Sequence, residues 1–287
     1  MTITHIEKQV KRYTEYDVIQ TYTDLPDFPE FRVRLLYAFL NETDLASKNS
    51  ELYSLVTAIV QMGLDTHDQV PEHNTAKTKP EARSRQLKVL AGDYFSSRYY
   101  NLLAEAGEVT AVRLLAASVC EINRLKLNFY TGIKQMKITA EDYIHDLVQI
   151  KSHMFLSLAG LLPEWAKRAM TDLVHGVARF EVLNAEMNRL KDDKDIPESW
   201  AYWHILDHGS REDRKLLKNG GADSSKLRSL LLKYKAGAQL QRMLEEQLEQ
   251  LSAKLRELSS ERLLQELQPL TDVLNRYIGK PRILEER

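Results

Sequence analysis

Cysteine occurs once in the 287 residues, at Cys120, so no disulfide framework is possible. The thiol lies in the apolar run 111–122, where it is expected as a small buried hydrophobe. A chain so poor in cysteine suits a reducing, cytoplasmic setting. Glycine (11) and proline (8) are scarce, and strict apolar–polar alternation is hard to find, which argues against an extensive sheet. No stretch approaches the roughly 18–20 apolar residues of a membrane span. Residues 1–20 are polar and charged, unlike a secretory leader. Neither sign of charge dominates, with 40 Lys and Arg against 41 Asp and Glu. That balance removes the electrostatic argument for a nucleic-acid groove or a strongly anionic partner.

What is there is helical periodicity. Apolar residues recur at three- and four-residue spacing over 31–40 and 52–64. A helix is expected over 85–106, then another from Glu108 to Tyr130, where Gly132 should stop it. Thr139 and Asp142 have the spacing of a capping box opening a helix to Leu162, and Pro163 suits the start of the next, to Leu190. Residues 191–225 hold an acidic run, Asp192-Asp193-Lys194-Asp195, the aromatics Trp200, Tyr202 and Trp203, and Gly220-Gly221. They are expected as a long surface connection with one short helix inside. The C-terminal part, 225–287, reads as two helices, 225–258 and 261–278, and Leu244, Leu248, Leu251, Leu255 and Leu258 form a seam for the bundle core or a partner helix. The whole, 1–287, is expected as one all-α bundle of roughly ten helices.

One segment is more specific than composition. Leu64-Asp65-Thr66-His67-Asp68-Gln69-Val70-Pro71-Glu72 is followed, after a polar loop, by Arg85-Gln86-Leu87-Lys88-Val89-Leu90-Ala91-Gly92-Asp93-Tyr94. The second half resembles the "avLaGDy" helix of the trans-prenyl diphosphate synthases. The two halves together resemble their regulatory branch, component 1 of two-subunit heptaprenyl diphosphate synthases. Weaker support comes from 32–36 and from 141–143 with 151–155. The resemblance implies an isoprenoid-synthase bundle. In catalytic members the first half reads HDDxxD, and its aspartates hold Mg²⁺ against the allylic diphosphate, whose ionisation needs clustered divalent cations.

This chain departs from that pattern where the chemistry sits. The first motif becomes Asp68-Gln69-Val70-Pro71-Glu72: one aspartate is an amide, another a glutamate. Pro71 should end the helix before Glu72 can stack above Asp68. The positions that hold the homoallylic diphosphate become Phe31, Arg34 and Gln61, and the arginine pair after the motif becomes Asn74 and Thr75. The second aspartate-rich motif is replaced by 180–187, and the nearby run at 192–195 does not complete it. Asp65, His67 and Asp68 form no metal-binding signature, and no HExxH, nucleophile triad or phosphate loop is present.

No catalytic residue and no metal ligand is therefore assigned. Arg34 and Lys151 are the candidates for residual diphosphate contacts. The resemblance implies a non-catalytic subunit that binds no cofactor alone. It would pair with a DDxxD-bearing component 2 carrying the Mg²⁺ and help set the length of an apolar prenyl chain for the menaquinone side chain. Gly63, Met62 and Ile59, with Ala117 and Ser118 on a neighbouring helix, are expected to open a deep tunnel for that chain. A stand-alone terpene synthase or cyclase, and a helical scaffold protein, are the alternatives.

Overall fold

The computed structural model describes residues 3–71, 78–191, 199–220 and 223–278, and among them every regular element is helical. In chain order the helices are α1 (Ile3–Thr14), α2 (Asp17–Tyr22), α3 (Glu30–Glu42), α4 (Asp44–Ser47), α5 (Ser50–Asp68), α6 (Lys79–Glu105) and α7 (Val109–Lys134). They continue as α8 (Ala140–Leu156), a 3-10 turn (Ala159–Leu161), α9 (Glu164–Lys191), α10 (Trp200–His208), α11 (Arg211–Lys218), α12 (Ser224–Lys233), α13 (Ala236–Arg256) and α14 (Glu261–Ile278). None is long and apolar enough to cross a membrane.

The chain divides into two compact units. The first takes Met1–Cys120, Met154–Thr171 and Gln265–Leu267; the second takes Glu121–His153, Asp172–Leu264 and Gln268–Arg287. Two helices buried on all sides anchor the first unit. In α3 every residue from Arg32 to Leu40 is buried, and in α5 so is every residue from Val56 to Leu64. Arg32 lies in this core with its guanidinium 4.9 Å from the Phe155 ring centre, so its charge meets an aromatic face. The second unit is built around α9 and α13, which approach closely at Gly176: a Cβ there would stand 2.6 Å from Leu251 Cδ2. The leucine seam is its core stripe, since Leu244, Leu248, Leu251, Leu255 and Leu258 are all buried.

Local chemistry sets the boundaries. The Thr139–Asp142 capping box forms in both directions, at 3.0 Å from Asp142 N to Thr139 Oγ1 and 2.9 Å from Thr139 N to Asp142 Oδ2. Those two bonds, led by the backbone one, hold the Asp142 carboxyl below its usual range. Helix α6 ends on Gly107 at φ 75°, with Glu108 N bonded to Leu103 O and Gly107 N to Ala104 O.

Several expectations give way. Gly132 does not stop α7; it sits inside the helix because Ile138 packs where its Cβ would be, 2.6 Å away. The stop comes at Met136, which takes the left-handed φ of 54° while Lys137 N closes onto Gly132 O. Helix α8 ends at Leu156, short of Leu162, and a 3-10 turn fills the interval. Residues 225–258 are two helices, broken at Tyr234–Lys235, where Lys235 is left-handed at φ 50°. The stretch 191–225 is no surface connection where it is described: it forms α10 and α11, and Trp200, Ala201, Trp203 and Ile205 are buried. Its aromatics are core. Cys120, expected inside, is exposed on α7. There are more helices than expected, because α1 and α2 also form within the polar N-terminal stretch. Ile3, Ile6, Val10 and Thr14 give α1 one buried stripe.

Since Leu251 seals the α9–α13 crossing, Leu251→Ala should destabilise the protein by about 2–5 kcal/mol. Urea denaturation reads this directly, and a loss below about 1 kcal/mol would show that the crossing relaxes around the cavity.

Candidate functional site

The C-terminal turn of α5 carries Asp65, His67 and Asp68, and it lies across the middle of α6, where Gly92, Asp93 and Tyr94 sit. Two glycines allow that crossing. A Cβ on Gly63 would meet Ser96 Oγ at 2.9 Å and the Gly92 carbonyl oxygen at 3.2 Å. A Cβ on Gly92 would run into the His67 ring at 2.6 Å. The imidazole thus lies flat against the Gly92 backbone, and its Nε2 reaches Asp93 Oδ1 at 3.4 Å. The signature glycine provides close approach. Next to it, Tyr94 shares a hydrogen bond of 2.5 Å with the hydroxyl of Tyr16.

Tyr16 belongs to an aromatic arm that the polar N-terminal composition concealed. Arg98 of α6 stacks over Tyr13, and Arg83 stacks over Tyr22 while donating to its hydroxyl at 3.1 Å. Burial first, then the Tyr16 hydroxyl, push the Tyr94 phenol up. The available signal was three tyrosines in and between α1 and α2: Tyr13 and Tyr22 each take an arginine of α6, and Tyr16 takes the Tyr94 hydroxyl.

The degenerate first motif is a helix end. Helix α5 stops at Asp68, Gln69 is its C-cap, and Pro71 lies outside it. Glu72, Asn74 and Thr75 lie outside the described residues, as do Asp192, Asp193 and Asp195. Asp65 accepts a 2.8 Å hydrogen bond from Gln61 Nε2, leaving Gln61 Oε1 buried without a partner. Asp68 is exposed. Beside it, the His67 ring is turned toward Asp93. This donor set does not fit a divalent ion. Among the described residues no group of three His, Cys, Asp or Glu side chains gathers.

The other candidates are occupied by the fold. Arg34 is buried, donating to Glu30 Oε1 at 2.8 Å and to the Glu266 carbonyl at 3.3 Å. Lys151 is half-buried on α8, in the second unit. In the window of the second motif, Glu186 points inward. Its carboxylate accepts the Trp200 backbone N–H at 2.7 Å and the Tyr143 hydroxyl at 3.2 Å, with Arg189 Nη1 at 3.5 Å. Glu186 thereby caps the first turn of α10. Burial raises its carboxyl above the usual range despite these donors.

At Gly63 the space above the Cα is taken up by α6, through Ser96 and the Gly92 carbonyl. Ile59 is fully buried. Met62 instead lines a cavity of about 460 Å³ with Val10, Leu25 and Phe28 of the N-terminal arm. Ala117 is exposed while Ser118 is buried, so the pair does not form one small-residue face.

The bundle is that of the prenyl diphosphate synthases. It matches the geranylgeranyl pyrophosphate synthetase of Pyrococcus horikoshii Ot3 with a TM-score of 0.71 at 13% identity, over 97% of this chain and 96% of that one. It matches a heptaprenyl diphosphate synthase of Staphylococcus aureus with a TM-score of 0.67 at 11% identity, over 96% and 98%. Within that class the chain belongs to the family described as heptaprenyl diphosphate synthase (HEPPP synthase) subunit 1, whose model matches residues 16–226. It is 32% identical over 138 residues to the heptaprenyl diphosphate synthase component 1 of Geobacillus stearothermophilus, covering 47% of this chain. The chain spans 59% of the length of that relative.

Two outcomes follow. Gly63→Phe should cost about 1–3 kcal/mol or more, because the ring must displace α6 backbone. A chemical denaturation midpoint equal to that of the parent would mean the crossing has slack. For Glu186, the raised carboxyl means the folded state holds its proton after the unfolded chain has lost it. Stability should therefore fall as pH rises from the ordinary glutamate range through the folded value. Glu186→Gln should remove that part of the slope, and parallel pH profiles for parent and variant would contradict it.

Proposed function

We propose that this chain is the non-catalytic, regulatory subunit of a two-component heptaprenyl diphosphate synthase. The observation that carries the reading is the end of α5: the helix stops at Asp68, the next residue is the amide Gln69, and Pro71 stands outside. The family's first metal-binding helix face is missing there. The position of the second is taken up by Glu186, committed to Trp200 and Tyr143. Ionising an allylic diphosphate then falls to a partner that carries both aspartate motifs and their Mg²⁺. In this reading the partner condenses isopentenyl diphosphate units. This chain docks against it, helps set product length, and the product supplies the menaquinone side chain.

Docking is supported by apolar side chains left in solvent in the first unit. On α6, Leu90 is 61% and Tyr100 48% exposed; on α7, Val109 is 76% exposed and Cys120 is exposed as well. Large apolar side chains exposed on long helices are what an interface leaves uncovered. The reading of a stand-alone terpene synthase has no carboxylate set to rest on in the described residues. A scaffold unrelated to prenyl chemistry has to treat the matched family and fold as incidental.

The test is chain elongation with farnesyl diphosphate, labelled isopentenyl diphosphate and Mg²⁺, using this chain alone and mixed with the DDxxD-bearing subunit of its own source. Long products are expected only in the mixture; elongation by this chain alone would overturn the assignment. Leu90→Asp combined with Tyr100→Asp should weaken pairing by at least about tenfold in sedimentation titrations. Unchanged pairing would move the interface elsewhere.

A further inference from the structure

The second unit contains a cleft that the family reading leaves unused. It has a volume of about 560 Å³ and is walled by α8, α9 and α13. Its apolar floor is Val148 and Leu251, and the groups facing into it include His145 of α8, Asp172, His175 and Arg179 of α9, and Lys254 of α13. Size and lining are those of a small-molecule site, apolar with a few convergent polar groups. The helices are held together beneath it. Gly176 lets Leu251 close in, and Gln247 Nε2 donates to the Gly176 carbonyl at 3.2 Å.

The charge in the cleft is one-sided. Its acid, Asp172, is neutralised by Lys254 at 3.0 Å. Arg179 is half-buried and makes neither a hydrogen bond nor an ion pair among the described residues, and the rings of His145 and His175 make no hydrogen bond there. A guanidinium fork and two imidazoles with open donors present a planar, bidentate cation flanked by titratable ones. We infer that this cleft binds a small oxyanion, a phosphate or carboxylate group, held by Arg179 with His145 and His175.

Electrostatics give the pH dependence. Burial is the main cause holding the His175 imidazole below its usual range; Asp172 opposes it, and His145 and His153 add to it. Arg179 and Lys254 face the same space. An anion seated there would favour the imidazolium, so binding should tighten as pH falls through the histidine range.

Sulfate is the probe, because its charge is constant between pH 5.5 and 8. Calorimetric titration of the full chain should show saturable sulfate binding, tighter at pH 5.5 than at 8. It should weaken by about tenfold in Arg179→Gln and hold in Lys8→Gln, an exposed control on α1. Acetate in place of sulfate reports whether carboxylates share the site, and chloride at equal ionic strength is the blank. His145→Gln, at an exposed ring, is a second variant that leaves the packing alone and should weaken sulfate binding severalfold. The proposal fails if sulfate behaves like chloride, or if Arg179→Gln and His145→Gln both bind as the parent does. None of these outcomes bears on whether the chain pairs with a catalytic subunit.

Discussion

The first unit depends on how closely α5 and α6 approach. Two backbones can meet at Gly63 and Gly92 only because neither carries a Cβ: one would strike Ser96 and the Gly92 carbonyl, the other the His67 ring. Once they meet there, the remaining local geometry follows. His67 is pressed against Gly92 and faces Asp93. Tyr94 is presented to Tyr16, and Arg98 to Tyr13, so the N-terminal arm is fastened along the same helix. Tight packing of this kind tolerates little added volume.

The charged residues around the positions of the catalytic pattern have structural partners. Asp65 takes Gln61, Asp93 takes His67, Arg34 takes Glu30 and a carbonyl of α14, and Glu186 takes Trp200 and Tyr143. Where these groups are buried the partners are obligatory, since an unpaired buried charge costs several kcal/mol. Restoring an aspartate at position 69 would therefore not rebuild a metal site. The new carboxylate would join a helix terminus already negative, while Arg34 and Glu186 remain committed to the fold.

Much of the fold was legible because helices announce themselves through periodicity and caps. The Thr139–Asp142 box and the leucine seam are local or one-faced signals, and both hold in three dimensions. What escaped was decided by tertiary contacts. Gly132 reads as a stop, yet Ile138 packs against it and the helix closes at Met136, a residue with no turn signature. Trp200 and Trp203 read as part of a surface connection because acidic and glycine-rich stretches flank them, and the buried Glu186 accounts for the helix start at Trp200. At the site, the loss of the aspartates could be read directly. The fate of Gly63 could not, since a glycine in a helix is equally compatible with an open groove and a close crossing.

That ambiguity separates the two halves of the signature. Leu-Ala-Gly-Asp-Tyr at 90–94 identifies the bundle because its glycine, aspartate and tyrosine each make a packing contact between α6 and an earlier helix or the N-terminal arm. None of those contacts requires a metal. In the catalytic pattern the chemistry resides in the other half, at the position of the α5 terminus, where charge is concentrated against a helix dipole and compensated by cations. With Gln69 and Pro71 in place that concentration is gone, and nothing in the α5–α6 crossing is disturbed. On the proposed reading, the architecture of a prenyl synthase stands without the ionising chemistry, because glycine contacts hold the α5–α6 crossing and none of them involves the carboxylates of the first motif.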